Sequence, residues 1–357
     1  MSRFHEIKVA HVETLTNDAK AIYFDIPDSL KDNYKYIPGQ YLTFEVTVNG
    51  NKQRRAYSIC TSPFTDAQPA IGVKKVQGGL VSNFMNDQVK VGDVLHVMEP
   101  MGNFTHVPNA ANKHHYVLLG GGSGITPLMS ILKSVLHVES ESKITLFYAN
   151  RNEQSIMFKT ALENLQQQYG SRLNIIHNVD EGNYNNATTG KLDAQKITAI
   201  LKSNLSSEVN TVDYYICGPS GLMLLIDEAL NNLNVAKNKI HKEYFTAPVV
   251  TEEHKAEQAA AGEPLDEADL YLLLDGEHLE VKYKGQNSIL EAVLDAGYDP
   301  PFACQIGACC TCRAKVTEGK VVMADRESLS DAEIKEGYIL TCQAKPLTSK
   351  LVYTYDE

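Results

Sequence analysis

Residues 304–312 read Cys304-Gln-Ile-Gly-Ala-Cys309-Cys310-Thr-Cys312, and Cys342 follows after a further 29 residues. The spacing, C-x4-C-x2-C and then a distant fourth cysteine, is the plant-type ligation pattern of a [2Fe–2S] cluster. Three thiolates come from one tight loop and the fourth from elsewhere in the fold. A zinc site would usually show matched C-x2-C pairs or added histidines. Gly307 suits a backbone that curls around sulfur atoms and aims its N–H groups at them. Cys304, Cys309, Cys312 and Cys342 are therefore the candidate metal ligands. Cys310 is assigned to packing, because its side chain points away if its neighbours ligate.

The 357-residue chain has room for two or three domains. With 43% hydrophobic and 22% charged residues it has the composition of a globular protein with an ample core. A net charge of −11 argues against nucleic acid as a partner and fits an acidic carrier that docks on a more basic surface. A plain solvated acidic surface accounts for it equally well. With four of the seven cysteines assigned, Cys60, Cys217 and Cys310 make no disulfide framework, so a reducing compartment, the cytoplasm, is expected. The start, Met-Ser-Arg-Phe-His-Glu, lacks the regions of a signal peptide, and no apolar run is long enough for a membrane span.

Residues 1–108 alternate short strands with turns marked by Pro38-Gly39, Asn49-Gly50 and Gly92-Asp93. This predicts an antiparallel β-barrel with strands over 4–14, 21–26, 41–48, 55–59, 71–75 and 94–98, and one helix over 80–86. Two patches carry candidate chemistry. In Arg55-Ala56-Tyr57-Ser58, Arg55 and Tyr57 share a strand face, one able to grip a phosphate and the other to lie against a flat ligand. Arg and Tyr are also common surface residues of strands. In Gln77-Gly78-Gly79-Leu80-Val81-Ser82, two glycines and a serine open the helix, and free N–H groups at a helix start bind phosphate. A plain helix start after a turn reads the same way.

Residues 109–248 change character. The apolar run Tyr116-Val-Leu-Leu119 leads into Gly120-Gly121-Gly122-Ser123-Gly124-Ile125-Thr126-Pro127 and an amphipathic stretch over 128–136. Strand and helix then alternate: 144–148 and 158–169, 173–178 and 191–202, 213–217 and 220–233. Such alternation predicts a doubly wound parallel sheet. A glycine-rich turn opening a helix lets a pyrophosphate approach backbone N–H groups. Cys217-Gly218-Pro219 ends the last of these strands, at the edge where ligands of such sheets sit. Taken alone, Cys217 reads equally as a buried inert cysteine.

Residues 249–266, Ala- and Glu-rich with no apolar period, predict an exposed linker. Residues 267–357 predict a compact, β-grasp-like α+β domain. A hairpin turns at Asp275-Gly276. A helix runs from Ser288, its N-cap, with Glu291 in the capping-box position and Gly297 as C-cap.

Together these motifs resemble the ferredoxin–NADP reductase superfamily, extended by a plant-type ferredoxin, and the resemblance covers the whole chain. It implies FAD contacts from Arg55, Ala56, Tyr57 and Ser58, and from Gly72, Val73 and Lys74, where the family runs a strand alongside the flavin. Gly79, Leu80, Val81 and Ser82 would complete them. The intact glycine helix start favours FAD over FMN. It implies pyridine-nucleotide contacts from Gly121, Gly122, Ser123, Gly124 and Thr126, and from Cys217, Gly218 and Pro219, with the Cys217 thiol beside the nicotinamide. Glu243 and Phe245 fall where the family carries an acidic residue and an aromatic near the flavin ring. Glu243 would relay a proton through Ser58 or help hold nicotinamide, with a surface carboxylate as the alternative. Ser58, Cys217 and Glu243 are thus the candidate catalytic residues. Arg151, at the end of the second parallel strand, favours the 2′-phosphate of NADPH over the bare ribose of NADH, with Lys159 as a second candidate partner.

The order flavin domain, nucleotide domain, ferredoxin is that of reductases serving oxygenases. Ala56-Tyr57-Ser58-Ile59-Cys60 and His241-Lys-Glu-Tyr-Phe245 most resemble the reductases of phenylacetyl-CoA epoxidase systems in phenylacetate degradation. Reductases of ketosteroid hydroxylase and other ring-oxidising systems are near relatives. The implied path runs from NADPH through FAD and [2Fe–2S] to an oxygenase component. A general NAD(P)H–ferredoxin or flavodoxin reductase serving another acceptor is a second reading. A non-enzymatic iron–sulfur sensor would lack one of the flavin strand, the glycine run or Cys217-Gly218-Pro219, and all three are present.

Overall fold

The structure, a computed structural model, describes residues 3–185, 187–205, 212–250 and 252–356. The chain divides into two compact units, one over Phe4–Phe245 and one from Thr246 onward together with Arg3.

The first unit opens with β1 (His5–Thr16), β2 (Ala19–Asp25), β3 (Tyr41–Val48), β4 (Asn51–Ser58), β5 (Ala70–Lys74) and β6 (Val94–Val97). These pair in the order β4-β3-β6-β1-β2-β5, antiparallel at every ladder. The two edges meet: Ile59 bridges Ile71, and Cys60 donates its N–H to Ala70. The sheet thus closes into the expected barrel. Alternation turns Ile7, Val9, Ile22, Phe24, Phe44 and Val97 inward, all fully buried. Helix α1 (Leu80–Asp87) packs Val81 and Met85 against this core.

A second sheet follows, from β7 (His115–Gly121), β8 (Lys143–Asn150), β9 (Leu173–Val179), β10 (Thr188–Thr189), β11 (Val212–Gly218) and β12 (Ile240–Tyr244). It is parallel throughout, in the order β10-β9-β8-β7-β11-β12. Its helices are α2 (Ile125–Val138), α3 (Lys159–Tyr169), α4 (Ala194–Asn204) and α5 (Ser220–Asn232). The chain steps outward from β7 to β10 and then returns to the other side of β7 as β11. That reversal makes the carboxyl ends of β7 and β11 the switch point where a ligand crevice forms. One face of the sheet buries α2, α3 and barrel residues such as Ala21, Ala70 and Phe104 in one core. The other face covers α4 and α5.

The second unit contains α6 (Glu252–Ala261), β13 (Glu267–Leu274), β14 (Glu277–Lys284), α7 (Ile289–Asp295), β15 (Arg313–Glu318), β16 (Val321–Met323), α8 (Asp331–Lys335), β17 (Tyr338–Leu340), β18 (Ala344–Pro346) and β19 (Lys350–Thr354). Five strands form a mixed sheet in the order β14-β13-β19-β15-β17, and β16 pairs with β18. At the β13–β14 turn, Asp275 and Gly276 both have positive φ, 55° and 79°, the type I′ geometry that fits the twist of a hairpin. Ser288 caps α7 by accepting from the Glu291 N–H at 3.1 Å. The Glu291 carboxylate reaches back one residue further than a capping box requires, to the Asn287 N–H at 2.8 Å. Gly297, with φ 88°, ends the helix in a Schellman motif, in which Gly297 N–H bonds Leu294 and Tyr298 N–H bonds Val293.

Residues 249–266 depart from expectation; Thr251 among them lies outside the described residues. Ten of them form α6 and dock on the end of β16. His254 is buried and donates to the Met323 carbonyl at 3.1 Å. One turn on, Gln258 donates to the Met323 and Ala324 carbonyls at 2.6 and 2.9 Å. Glu257 pairs with Arg326 at 2.5 Å. The helix is held by polar side chains at i, i+3 and i+4, so no apolar stripe announces it. Gln258→Leu should lower the stability of this unit by about 1–2 kcal/mol, since the Ala324 carbonyl loses its side-chain donor and the Met323 carbonyl keeps only His254. Urea unfolding followed by far-UV circular dichroism checks this; an unchanged midpoint would mean the helix adds nothing.

Candidate functional site

At the switch point, β7 passes through a tight turn over Gly122–Gly124 directly into α2. The turn is pressed against the end of β11. A Cβ on Gly124 would lie 2.0 Å from the Cys217 carbonyl oxygen. A Cβ on Gly121 would lie 2.5 Å from the Leu222 side chain and 2.9 Å from Pro219. Only glycine permits this approach. The fold therefore brings the run Gly121, Gly122, Ser123, Gly124 and Thr126 together with Cys217, Gly218 and Pro219. Gly122 has φ 52° and faces open space. Its carbonyl accepts the Tyr148 hydroxyl at 2.9 Å, while Thr126 donates to the Ser123 carbonyl at 3.0 Å.

Next to this turn, β11 and β12 bring Cys217 and Glu243 into register. Both are buried, so Glu243 is not the surface carboxylate that its sequence context left open. Ser58, at the end of β4, donates its hydroxyl to Glu243 Oε2 at 3.1 Å. Three residues far apart in sequence thus converge. Burial pushes the Glu243 carboxyl from its ordinary 4.5 up to about 8, with the Ser58 hydrogen bond opposing. Burial also pushes the Cys217 thiol well up, so it keeps its proton.

Arg55 and Tyr57 share one face of β4, with Arg55 exposed and Tyr57 half-buried against Phe44. Ala56 is half-buried on the opposite face. On β5, Val73 points into the barrel core and Lys74 pairs with Asp18 at 3.7 Å. A Cβ on Gly72 would meet Thr126 Cγ2 at 2.4 Å, so Gly72 sits on the seam between barrel and α2. Gly79 is the N-cap of α1, Leu80 is exposed and Val81 is buried. The Ser82 hydroxyl accepts the Val76 N–H at 3.1 Å. Phe245 is 38% exposed at the end of this unit.

Arg151 is exposed just past β8. Lys159 is ion-paired with Glu153, so it is not a ready anion partner. Nothing in the sequence singles out Asn150. It is buried at the carboxyl edge of the sheet, and its amide nitrogen and oxygen find no hydrogen-bond partner among the described residues. Sequence reasoning also misses Glu139, wholly buried, which accepts from His106, Asn109 and Ser142 and pins the crossing between barrel and sheet.

In the second unit, the 304–312 loop curls through two left-handed residues, Gln305 at φ 58° and Gly307 at φ 74°. Cys309 Sγ lies 3.2 Å from Cys304 Sγ. Cys304 is drawn below the ordinary thiol value because Cys309 donates to it, helped by the N–H groups of Ile306, Cys309 and Ala308. Cys342 is lowered likewise by its hydrogen bond from Cys312, with help from Gln343 and the Gly307 N–H. The four sulfurs thus form two couples with backbone N–H groups turned toward them. The Cys310 thiol points elsewhere, donating to the Ser328 carbonyl at 2.9 Å.

Three family models match in series: an oxidoreductase FAD-binding domain over residues 6–106, an oxidoreductase NAD-binding domain over 118–228 and a 2Fe–2S iron–sulfur cluster binding domain over 272–347. A component of 1,2-phenylacetyl-CoA epoxidase from Escherichia coli (strain K12) is 35% identical, over 100% of this chain and 99% of its own. The chain belongs to the ferredoxin–NADP reductase superfamily, in the group that ends in a plant-type ferredoxin. The ferredoxin reductase component of 3-ketosteroid-9-alpha-monooxygenase from Rhodococcus rhodochrous is also 35% identical, over 98% of this chain and 96% of its own. Phthalate dioxygenase reductase shares the fold, with a TM-score of 0.56 at 23% identity over 98% of both chains. This reductase is thus an NAD(P)H-dependent oxidoreductase with flavin, pyridine-nucleotide and iron–sulfur domains. Among its described residues no helix is long and apolar enough to cross a membrane.

The buried Glu243 carboxyl sets a pH dependence. Below pH 4.5 it is protonated folded and unfolded, and burial carries no charge penalty. Between 4.5 and about 8 the unfolded chain releases the proton while the folded chain keeps it, so stability falls as pH rises, by up to about 1.4 kcal/mol per unit. Glu243→Gln should remove that slope and gain on the wild type toward pH 8. Urea midpoints at pH 5 and pH 8 test it; a constant gap between the two proteins would show that Glu243 titrates normally.

Proposed function

We propose that this protein is the reductase component of a multicomponent oxygenase, drawing electrons from NADPH and delivering them singly to an oxygenase protein. The convergence of Ser58, Cys217 and Glu243 beside the glycine turn carries this reading. The residues fit the groups it requires. Two thiol couples with N–H groups aimed at sulfur match a [2Fe–2S] cluster, whose irons each take two protein thiolates. The α1 start offers unpaired first-turn N–H groups, and Arg55 an exposed guanidinium, for the FAD pyrophosphate. The buried Asn150 amide, beside the Tyr148 hydroxyl, would offer polar atoms at the nucleotide edge.

When bound, the flavin takes up electrons as a pair and releases them one at a time, the conversion that a one-electron cluster needs. The protein supplies placement and proton control. Arg55, Ala56, Tyr57, Ser58, Gly79, Leu80, Val81 and Ser82 would hold the FAD. Gly72 and Val73 would offer it backbone atoms, since the Val73 side chain is in the core, and Lys74, paired with Asp18, would lie beside it. Gly121, Gly122, Ser123, Gly124, Thr126, Gly218 and Pro219 would cradle the nucleotide pyrophosphate, and the neutral Cys217 thiol would bound the nicotinamide pocket without adding charge. Glu243, protonated through most of the neutral range, accepts the Ser58 hydroxyl, and its proton would pass to Ser58 once that hydroxyl turns to accept it. Phe245 would cover the ring at the end of β12.

We assign Arg151 to the 2′-phosphate of NADPH. The acceptor is a phenylacetyl-CoA epoxidase or a related ring-oxidising oxygenase, supported by the relatives above. Cys60, Cys217 and Cys310, which fall outside the ligand set and form no disulfide, suit a reducing cytoplasm.

Anaerobic addition of NADPH to the purified protein should bleach the flavin and cluster absorbances; no bleaching would sink the enzyme reading. Cys309→Ser should abolish cytochrome c reduction and spare ferricyanide reduction, and equal loss of both would overturn the electron order. Arg151→Ala should raise KM for NADPH by about tenfold, worth about 1.4 kcal/mol, and leave KM for NADH within about twofold. Equal change for both nucleotides would remove Arg151 from the phosphate.

A further inference from the structure

The fourth cysteine has a side-chain amide beside its sulfur in addition to the Gly307 N–H. Cys304 takes its N–H donors from its own loop. Cys342 lies on a separate segment, and a side chain ties it to that loop. The Gln343 amide nitrogen lies 3.5 Å from Cys342 Sγ, 3.1 Å from the Cys342 carbonyl and 3.3 Å from the Gln305 carbonyl. Its backbone is fixed at both ends, by the Gln343 N–H to Leu340 at 2.9 Å and the Ala324 N–H to Gln343 at 2.8 Å. The Ala324 and Met323 carbonyls are in turn clamped by Gln258 of α6. Gln343 also lines a groove of about 560 Å³ with Cys342 and Gln258, so one side of this sulfur borders an open space and not the core.

A primary amide has two N–H groups for these three acceptors. Once Cys342 is a thiolate it is the charged acceptor of the three, and a charge-assisted bond is the stronger one. Hydrogen bonds to ligand sulfur favour the more electron-rich state of an iron–sulfur centre and so raise its potential.

We propose that Gln343 is a positioning residue of the electron-transfer site: its amide ties Cys342 to the 304–312 loop and, by donating an N–H to the sulfur, raises the reduction potential of the cluster. The proposal rests on the reading of Cys304, Cys309, Cys312 and Cys342 as cluster ligands.

The test uses the full-length protein. Iron, sulfide and the EPR signal of the reduced protein are measured in the wild type, Gln343→Leu, Gln343→Met and Gln343→Glu. Potentials follow from EPR-monitored redox titration. Leu and Met fill the space without an N–H. Both variants should retain the cluster, with a potential lowered by a three- to tenfold shift in the one-electron equilibrium, tenfold being about 59 mV. Glu, which adds charge and loses the donor, should fall further. Unchanged potentials in both Leu and Met variants would overturn the proposal. So would loss of iron from both, because Gln343 would then be needed to retain the cluster and not to tune it. A wild-type protein lacking two irons and two sulfides would instead overturn the ligand reading itself.

Discussion

The layout of the nucleotide-binding half depends on one steric constraint. The main chain at residue 124 passes so close to the Cys217 carbonyl that a methyl group would overlap it. That contact lets α2 start at the end of β7 directly beside the end of β11, at the switch point of the sheet. The parallel order of the sheet places both strand ends there, and the missing Cβ atoms at 121 and 124 let them close. A second tight seam lies across the barrel, where Gly72 meets Thr126. The two seams share the first turn of α2, so one helix start is in register with both the barrel and β11.

The buried Glu243 carboxyl exploits this closeness. A carboxylate enclosed by protein, with one hydroxyl as its donor, is more costly to ionise than the same group at a surface. It therefore stays neutral where a surface carboxylate would be charged, and it does so between a barrel strand and a sheet strand. Proton affinity at this point is a product of the packing of both sheets, not of any neighbour in sequence.

Much of this is legible in the chain. The barrel strands, the glycine turn, Cys217-Gly218-Pro219 and the cysteine spacing are local signals, because period-two alternation, φ demands and ligand spacing act over a few residues. What escapes are long-range features. Glu243 looks like any carboxylate on a last strand until Ser58 covers it. Asn150 carries no local sign that its amide lacks a partner. Lys159 reads as a free cation until Glu153 reaches it. Helix α6 reads as a tether because polar hydrogen bonds to strand carbonyls leave no hydrophobic period to detect. The Glu291 cap differs by one residue from the expected box, a shift that sequence spacing does not resolve.

Helix α6 has a consequence for how such chains recombine. The cluster-binding domain, judged by its family match, starts at residue 272, yet the folded body to which it belongs begins upstream of residue 252. A gene fusion joined just ahead of β13 would inherit a ferredoxin whose Met323 and Ala324 carbonyls have lost their cover. The heritable module is therefore longer than its cysteine-bearing core, and viable exchanges between reductases should cluster at the stretch after Phe245.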